Sequence, residues 1–142
     1  MKINHIYLKS QPILWAILLC LSARVSGCQK SPINGDLDGQ WQVMSVDPEP
    51  SDKVISDRIY YCFYLHTCQL SIYDIGIWTA GNMTYDGETL TLDFPNANSS
   101  ESVSKLKHYG IYTNPVTFNI EYLDNKKLVL RNEETVVTLR KF

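Results

Sequence analysis

Residues 85–95 read YDGETLTLDFP, and this stretch decides the fold. Asp86-Gly87 is the strongest hairpin signal in the chain, because a type I′ turn needs positive φ at both central residues and this pair tolerates it. The strand returning from it alternates, with Leu90, Leu92 and Phe94 on one face and Thr89, Thr91 and Asp93 on the other. That two-residue period belongs to a half-buried strand. Pro95, which has no N–H for a ladder, stops it.

Outward from this hairpin the chain keeps reading as strands. Upstream, Ile77–Tyr85 is the partner strand and Asp74-Ile75-Gly76 the turn before it. Ile59–Ile72 (IYYCFYLHTCQLSI) reads as one long strand, aromatic on both faces, with a bulge or sharp coil expected inside it. Trp41–Val46 is the first strand, and Pro48, Pro50 and the charges around Asp52 form a loop. Downstream, Asn96–Ser104 is polar, and Ser100–Tyr109 is read as one or two helical turns with Val103 and Leu106 facing inward. Val116–Tyr122 alternates again, with Val116, Phe118, Ile120 and Tyr122 inward, before a turn at Asp124-Asn125. Leu128–Arg131 and Thr135–Lys141 make a last hairpin around Asn132-Glu133. The expected fold is all-β: an antiparallel meander of about eight strands, with at most one short helix near residues 100–109. Closing such a meander into a small barrel removes its exposed edges.

The first thirty residues follow a different rule. Lys2 and Lys9 precede an apolar run, Ile13–Leu21 (ILWAILLCL). The run is short of the roughly 20 residues of a membrane span and suits a secretory signal. Val25-Ser26-Gly27-Cys28 resembles the bacterial lipobox, which implies cleavage before Cys28 and acylation of that cysteine. Two or three acyl chains anchor stably where one does not. Residues 1–27 are then a lipoprotein signal peptide, 28–37 the lipidated cysteine and a flexible tether, and 38–142 the barrel domain. The expected address is the cell envelope, lipid-anchored. Gln29-Lys30-Ser31 lacks an acidic cluster resembling a surface-export signal, which favours the periplasmic face of the outer membrane and leaves surface exposure open.

Removing residues 1–27 leaves 115 of 142 residues, and the loss of Lys2, Lys9 and Arg24 with no acid moves the net charge from −2 to −5. One domain with one core is expected. A chain this acidic argues against nucleic acid or an anionic membrane surface as a partner, since phosphate binding needs a basic patch.

Gly39-Gln40-Trp41 on the first strand, the meander, and the ending Thr138-Leu139-Arg140 resemble lipocalin-like barrels. More narrowly, LDGQW, RIYYCFYLH, YDGETLTLDFP and VTLRKF resemble lipocalin-like lipoproteins of Gram-negative gut anaerobes, over about Leu37 to Phe142. The resemblance implies a calycin-type barrel, ligand binding, and a Trp41 ring closing one barrel end with Arg140 stacked on it, next to Gly39. The alternation of Thr135–Lys141 places Val137 and Leu139 inward and Arg140 outward. Either the barrel end lets Arg140 fold over, or the pair is absent.

Cys62, His66 and Cys68 fall on one face of a continuous 59–72 strand, without the further ligands a tetrahedral metal site needs. Along one strand Cys62 and Cys68 would stand roughly 20 Å apart, beyond disulfide reach. Two free thiols are expected, unless a bend brings them together. The chain carries no nucleophile elbow, zincin or phosphate-loop motif and reads as a non-enzyme without cofactor or metal. Tyr60, Tyr64, His66, Tyr85 and Tyr109 are the candidate ligand contacts, having flat apolar bodies with polar tips. His108-Tyr109-Gly110 is a candidate pocket edge.

Two functions remain: a membrane-anchored barrel binding a small apolar or amphipathic ligand, or an interaction module with a filled core that contacts another envelope protein. The first requires a cavity of a few hundred Å³; the second requires none. Bulky residues on both faces of the 59–72 stretch favour a filled core, and the family resemblance favours the ligand.

Overall fold

The computed structural model describes residues 32–51 and 58–142. The signal segment and Cys28 lie outside the described residues. A 3-10 turn (Gly35–Leu37) leads into β1 (Gly39–Asp47), β2 (Ile59–Tyr64), β3 (Thr67–Ile72), β4 (Gly76–Tyr85) and β5 (Thr89–Asp93). Helix α1 (Ser100–Lys107) follows, then β6 (Val116–Leu123), β7 (Lys127–Arg131) and β8 (Val136–Lys141). Each strand pairs antiparallel with the next, and β8 returns to β1, so the sheet closes into the expected eight-stranded meander barrel. The compact unit begins at Pro32, not Asp38, and Leu37 is wholly buried in its core. Residues 32–37 are therefore part of the fold rather than of a tether.

The 59–72 stretch is not one strand. It turns back at Leu65-His66, pairing Tyr64 with Thr67 and Phe63 with Cys68. Leu65 takes φ +56, a left-handed conformation unusual for a branched apolar residue, which is why no turn residue betrays the bend. Its carbonyl accepts from Asn34 Nδ2 at 2.8 Å, and the His66 carbonyl accepts from the Met83 amide at 2.7 Å. The turn reverses which face each residue takes. Cys68 points into the barrel and is fully buried, while Cys62 lies on the outer wall. The two thiols are free, as expected, but because they occupy opposite faces and not because they are far apart along a strand.

The quoted hairpin forms with a shifted turn. Asp86 pairs with Thr89, so the loop residues are Gly87 (φ +100) and Glu88. Instead of occupying a central position, Asp86 accepts the Glu88 and Thr89 amides at its carboxylate, 3.0 and 2.7 Å away. Asp124 does the same for Lys126 and Lys127 between β6 and β7, and Asn132 for Glu134 and Thr135 between β7 and β8. Three hairpins thus share one side-chain latch, the local bonding that makes Asp and Asn turn residues.

Inside, Leu90, Leu92, Phe94, Phe118, Leu128, Leu130, Val137 and Leu139 are completely buried. Gly81 is required here: a Cβ would meet the Asp93 carbonyl and the Phe94 ring. In β6 the alternation breaks, because a bulge separates the Ile120–Leu130 and Tyr122–Val129 pairs. Tyr122 is turned out to solvent and Leu123 packs against the core in its place. In α1, Leu106 is buried as expected, but Val103 stays exposed because a single short helix presents only a narrow face to the barrel.

Candidate functional site

Strand direction gives the barrel two different ends. The starts of β1, β3, β5 and β7 form one end with the 3-10 turn, here termed the floor. Residues 48–51 after β1, the turn at 73–75, the segment carrying α1 and the turn at 132–135 form the other, the mouth.

The floor is built around Trp41. Its ring is wholly buried and its Nε1 donates to the Leu37 carbonyl at 2.7 Å, which ties the 3-10 turn beneath the barrel. The cation over the ring is Lys141, with Nζ 4.9 Å from the centroid, and not Arg140. Arg140 points outward and donates to Gln42 Oε1 at 2.9 Å. The alternation explains the exchange: Lys141 shares the inner face of Val137 and Leu139 and pairs directly with Trp41 across the β1–β8 seam. Lys141 Nζ also donates to the Asp36 carbonyl at 2.7 Å. Gly39 has φ +127, and a Cβ there would lie 3.0 Å from Lys141 Cε, so the glycine makes room for the lysine.

The mouth is closed by Tyr109. Helix α1 starts at Ser99, whose hydroxyl accepts the Ser102 amide. It ends in a Schellman arrangement, in which the Ile111 amide donates to the Leu106 carbonyl and the Gly110 amide to the Lys107 carbonyl. Gly110 holds φ +76, and a Cβ there would strike Val137. This cap drives Tyr109 and Ile111 into the barrel, where both are buried. The Tyr109 hydroxyl donates to the Ser71 carbonyl at 2.8 Å and accepts from Trp78 Nε1 at 3.0 Å. Its carbonyl accepts from the Tyr61 hydroxyl at 2.5 Å, and the two rings meet edge to face at 5.5 Å. Burial pushes the phenol pKa of Tyr61 well above its ordinary range, and that of Tyr109 likewise, against a lowering contribution from the Trp78 bond. Burial does the same to the Cys68 thiol, reinforced by Cys62. With Trp41, Tyr61, Phe63, Phe118 and Tyr109 packed within it, the barrel axis is filled by the protein's own rings.

A cleft of about 260 Å³ lies outside this plug, at the mouth, between the loop after β1 and helix α1. Glu49, Pro50 and Ser51 form one wall and Ser104, Lys107 and His108 the other, with Tyr112 completing it. The Tyr112 hydroxyl donates to the Pro48 carbonyl at 3.2 Å, fixing the ring against the loop. An aromatic ring and a proline thus face a carboxylate, an ammonium and an imidazole.

The sequence-derived candidates do not converge. Tyr109 is the mouth plug. Tyr85 is half-buried at the floor end, and Tyr64 and His66 are exposed at the same end. Tyr60 is on the outer wall, buried, its ring edge-on to Phe142 at 5.4 Å. The one-face grouping of Cys62, His66 and Cys68 disappears with the Leu65-His66 turn. His108, the expected pocket edge, does line the cleft. Glu49, Lys107 and the position of Tyr112 were not legible: they meet only because the helix cap and the loop after β1 fold over the same barrel end. Lys141 was legible, since it continues the inward set Val137, Leu139.

The model of the lipocalin-like domain family matches residues 19–142. Among solved structures, a lipocalin-like protein from Bacteroides uniformis is 26% identical, with a TM-score of 0.55, over 76% of this chain and 100% of that one. An uncharacterized protein from Bacteroides eggerthii shares the fold at 23% identity and a TM-score of 0.56, over 74% of this chain and 98% of its own. No curated protein matches the chain.

Proposed function

Because the chain belongs to the lipocalin-like domain family, we propose that it is a lipid-anchored cell-envelope protein that binds a small amphipathic ligand at the mouth of its barrel. The lipobox-like Val25–Cys28 supplies the anchor, with the periplasmic face of the outer membrane as the favoured address. The observation that carries the binding reading is the mouth cleft, which sets Tyr112 and Pro50 beside Glu49, Lys107 and His108. Its volume falls just below the roughly 300–1,000 Å³ of drug-sized sites, so the ligand is smaller than those. An apolar body would lie on Tyr112, with a polar head among the charged groups. The barrel axis is not the site in this proposal, since Tyr109 and Tyr61 occupy it. No catalytic role is assigned.

The packed axis favours a second reading, an interaction module that contacts another envelope protein. Native mass spectrometry of the protein after exposure to envelope lipids and metabolites separates the two. A discrete adduct, lost in a Lys107→Ala Tyr112→Ala double variant that still folds, is the expected result. Bare protein across several extracts would overturn ligand binding and leave the interaction module.

A further inference from the structure

Large apolar side chains are exposed at both barrel ends, but only the floor lies at the N-terminal start of the folded unit. Ile33 and Phe142 are 65% and 72% exposed, Tyr64 is 66% exposed, and Leu65 is 39% exposed. Ile33, Tyr64 and Leu65 lie at the floor rim, and Phe142 lies on the outer wall beside the β1–β8 seam at that end. Asn34, the neighbour of Ile33, holds the Leu65 carbonyl, and Tyr64 precedes Leu65 at the β2–β3 turn. On the adjoining seam the Phe142 amide donates to the Gln40 carbonyl, and the Phe142 ring packs on Tyr60 of the same strand as Tyr64. Exposed apolar side chains with Tyr64 among them suit the boundary between lipid headgroups and acyl chains, where an aromatic body is buried and its hydroxyl stays wet.

The chain length selects the occupant. Pro32 is the first residue of the folded unit and stands four positions after Cys28. Four residues, fully extended, span at most about 14 Å. An acylated Cys28 would therefore keep Pro32 within about 14 Å of the bilayer surface, which makes the bilayer the nearest surface to the floor. Resting on the anchor reading above, the geometry points to the floor-end residues Ile33, Tyr64, Leu65 and Phe142 as a membrane-docking face that seats the barrel on phospholipid and directs the mouth away from it. Tyr73, Ile75 and Ile77, 54%, 71% and 60% exposed at the mouth end, then remain in water.

Hydroxyl-radical footprinting tests this on the acylated protein, reconstituted in vesicles of the uncharged lipids phosphatidylethanolamine and phosphatidylcholine. Oxidation of each residue is normalised to the urea-unfolded chain, and the mass of the Cys28 peptide reports acylation in the same digest. The expected result is several-fold stronger protection at Ile33, Tyr64, Leu65 and Phe142 than at Tyr73, Ile75 and Ile77. Equal protection at the two ends of an acylated, vesicle-bound chain would overturn the docking face while leaving the anchor intact. A chain that carries no acyl group and stays in the aqueous phase would overturn both.

Discussion

The Lys141 ammonium stands 4.9 Å over the Trp41 ring, directly across the β1–β8 seam, and donates to the Asp36 carbonyl beneath it. One side chain thereby joins the last strand, the first strand and the 3-10 turn. A desolvated cation–π contact contributes up to about 2 kcal/mol, and a charged hydrogen bond about 1.5–3 kcal/mol where it is buried. The Lys141 bond is exposed, so the lower part of these ranges applies. Lys141→Ala is expected to lower unfolding free energy by about 1–2 kcal/mol in urea titration, and Arg140→Ala, which loses only an exposed bond to Gln42, by under about 0.5 kcal/mol. Equal losses would show that Lys141 does not hold the floor.

Glycine substitutions separate conformational strain from collision. Gly39→Ala must take φ +127 and press on Lys141, at a cost of about 1–3 kcal/mol. Gly81→Ala meets the backbone of β5, which cannot move as a side-chain tip can. It is expected to be the more damaging of the two, seen as a larger drop in thermal midpoint.

Tyr109→Phe removes the hydroxyl that satisfies both Trp78 Nε1 and the Ser71 carbonyl. Stranded polar groups cost about 1–3 kcal/mol each when buried, and Trp78 is only partly so. A loss of about 2 kcal/mol is expected, with a change in tryptophan emission from Trp78. A variant as stable as the parent, with unchanged emission, would mean that water replaces the hydroxyl.

Stability should fall in alkaline solution. The folded chain holds the protons of Cys68, Tyr61 and Tyr109 more tightly than the unfolded chain does. A raised folded pKa gives stability that is complete below the unfolded value and lost as pH rises above it. The decline should begin near the unfolded thiol value, roughly 8.5, and steepen past the phenol value of about 10. Urea midpoints measured from pH 7 to 11 check the slope. Cys68→Ala should weaken the earlier part of the decline, leaving the smaller share of the half-buried Cys62, and keep the later one.

Leu65 holds φ +56 at the β2–β3 turn. The left-handed region costs a branched residue about 1–2 kcal/mol, and Asn tolerates it better. Leu65→Asn should therefore stabilise the fold by about 0.5–1 kcal/mol, read as a rise in urea midpoint at constant m-value.

The strands that alternate cleanly were the legible part of the fold. Leu90, Leu92 and Phe94 pointed inward as their spacing required, and closure followed from strand number. Leu65-His66 was opaque because an apolar residue occupies a position where sequence patterns expect Gly or Asn. Tyr122 was misplaced for another reason: a bulge shifts the period by one residue without any change in composition. The mouth cleft was legible only at His108. Its other walls come from segments more than fifty positions apart, such as Pro48 and Tyr112, which only the closed barrel brings together.

All but one of the barrel's pairings join strands that follow each other in the chain; the last joins β8 to β1, setting Arg140 beside Gln42, 98 positions away. The two ends of the strand sequence are therefore neighbours, with the Phe142 amide bonded to the Gln40 carbonyl. Strand order around the ring is in that sense arbitrary. A circularly permuted gene that bridges Phe142 to the 3-10 turn with a short linker, and opens instead at an Asx-latched hairpin such as Asn132–Thr135, would encode the same barrel with its anchor free to be moved to another rim.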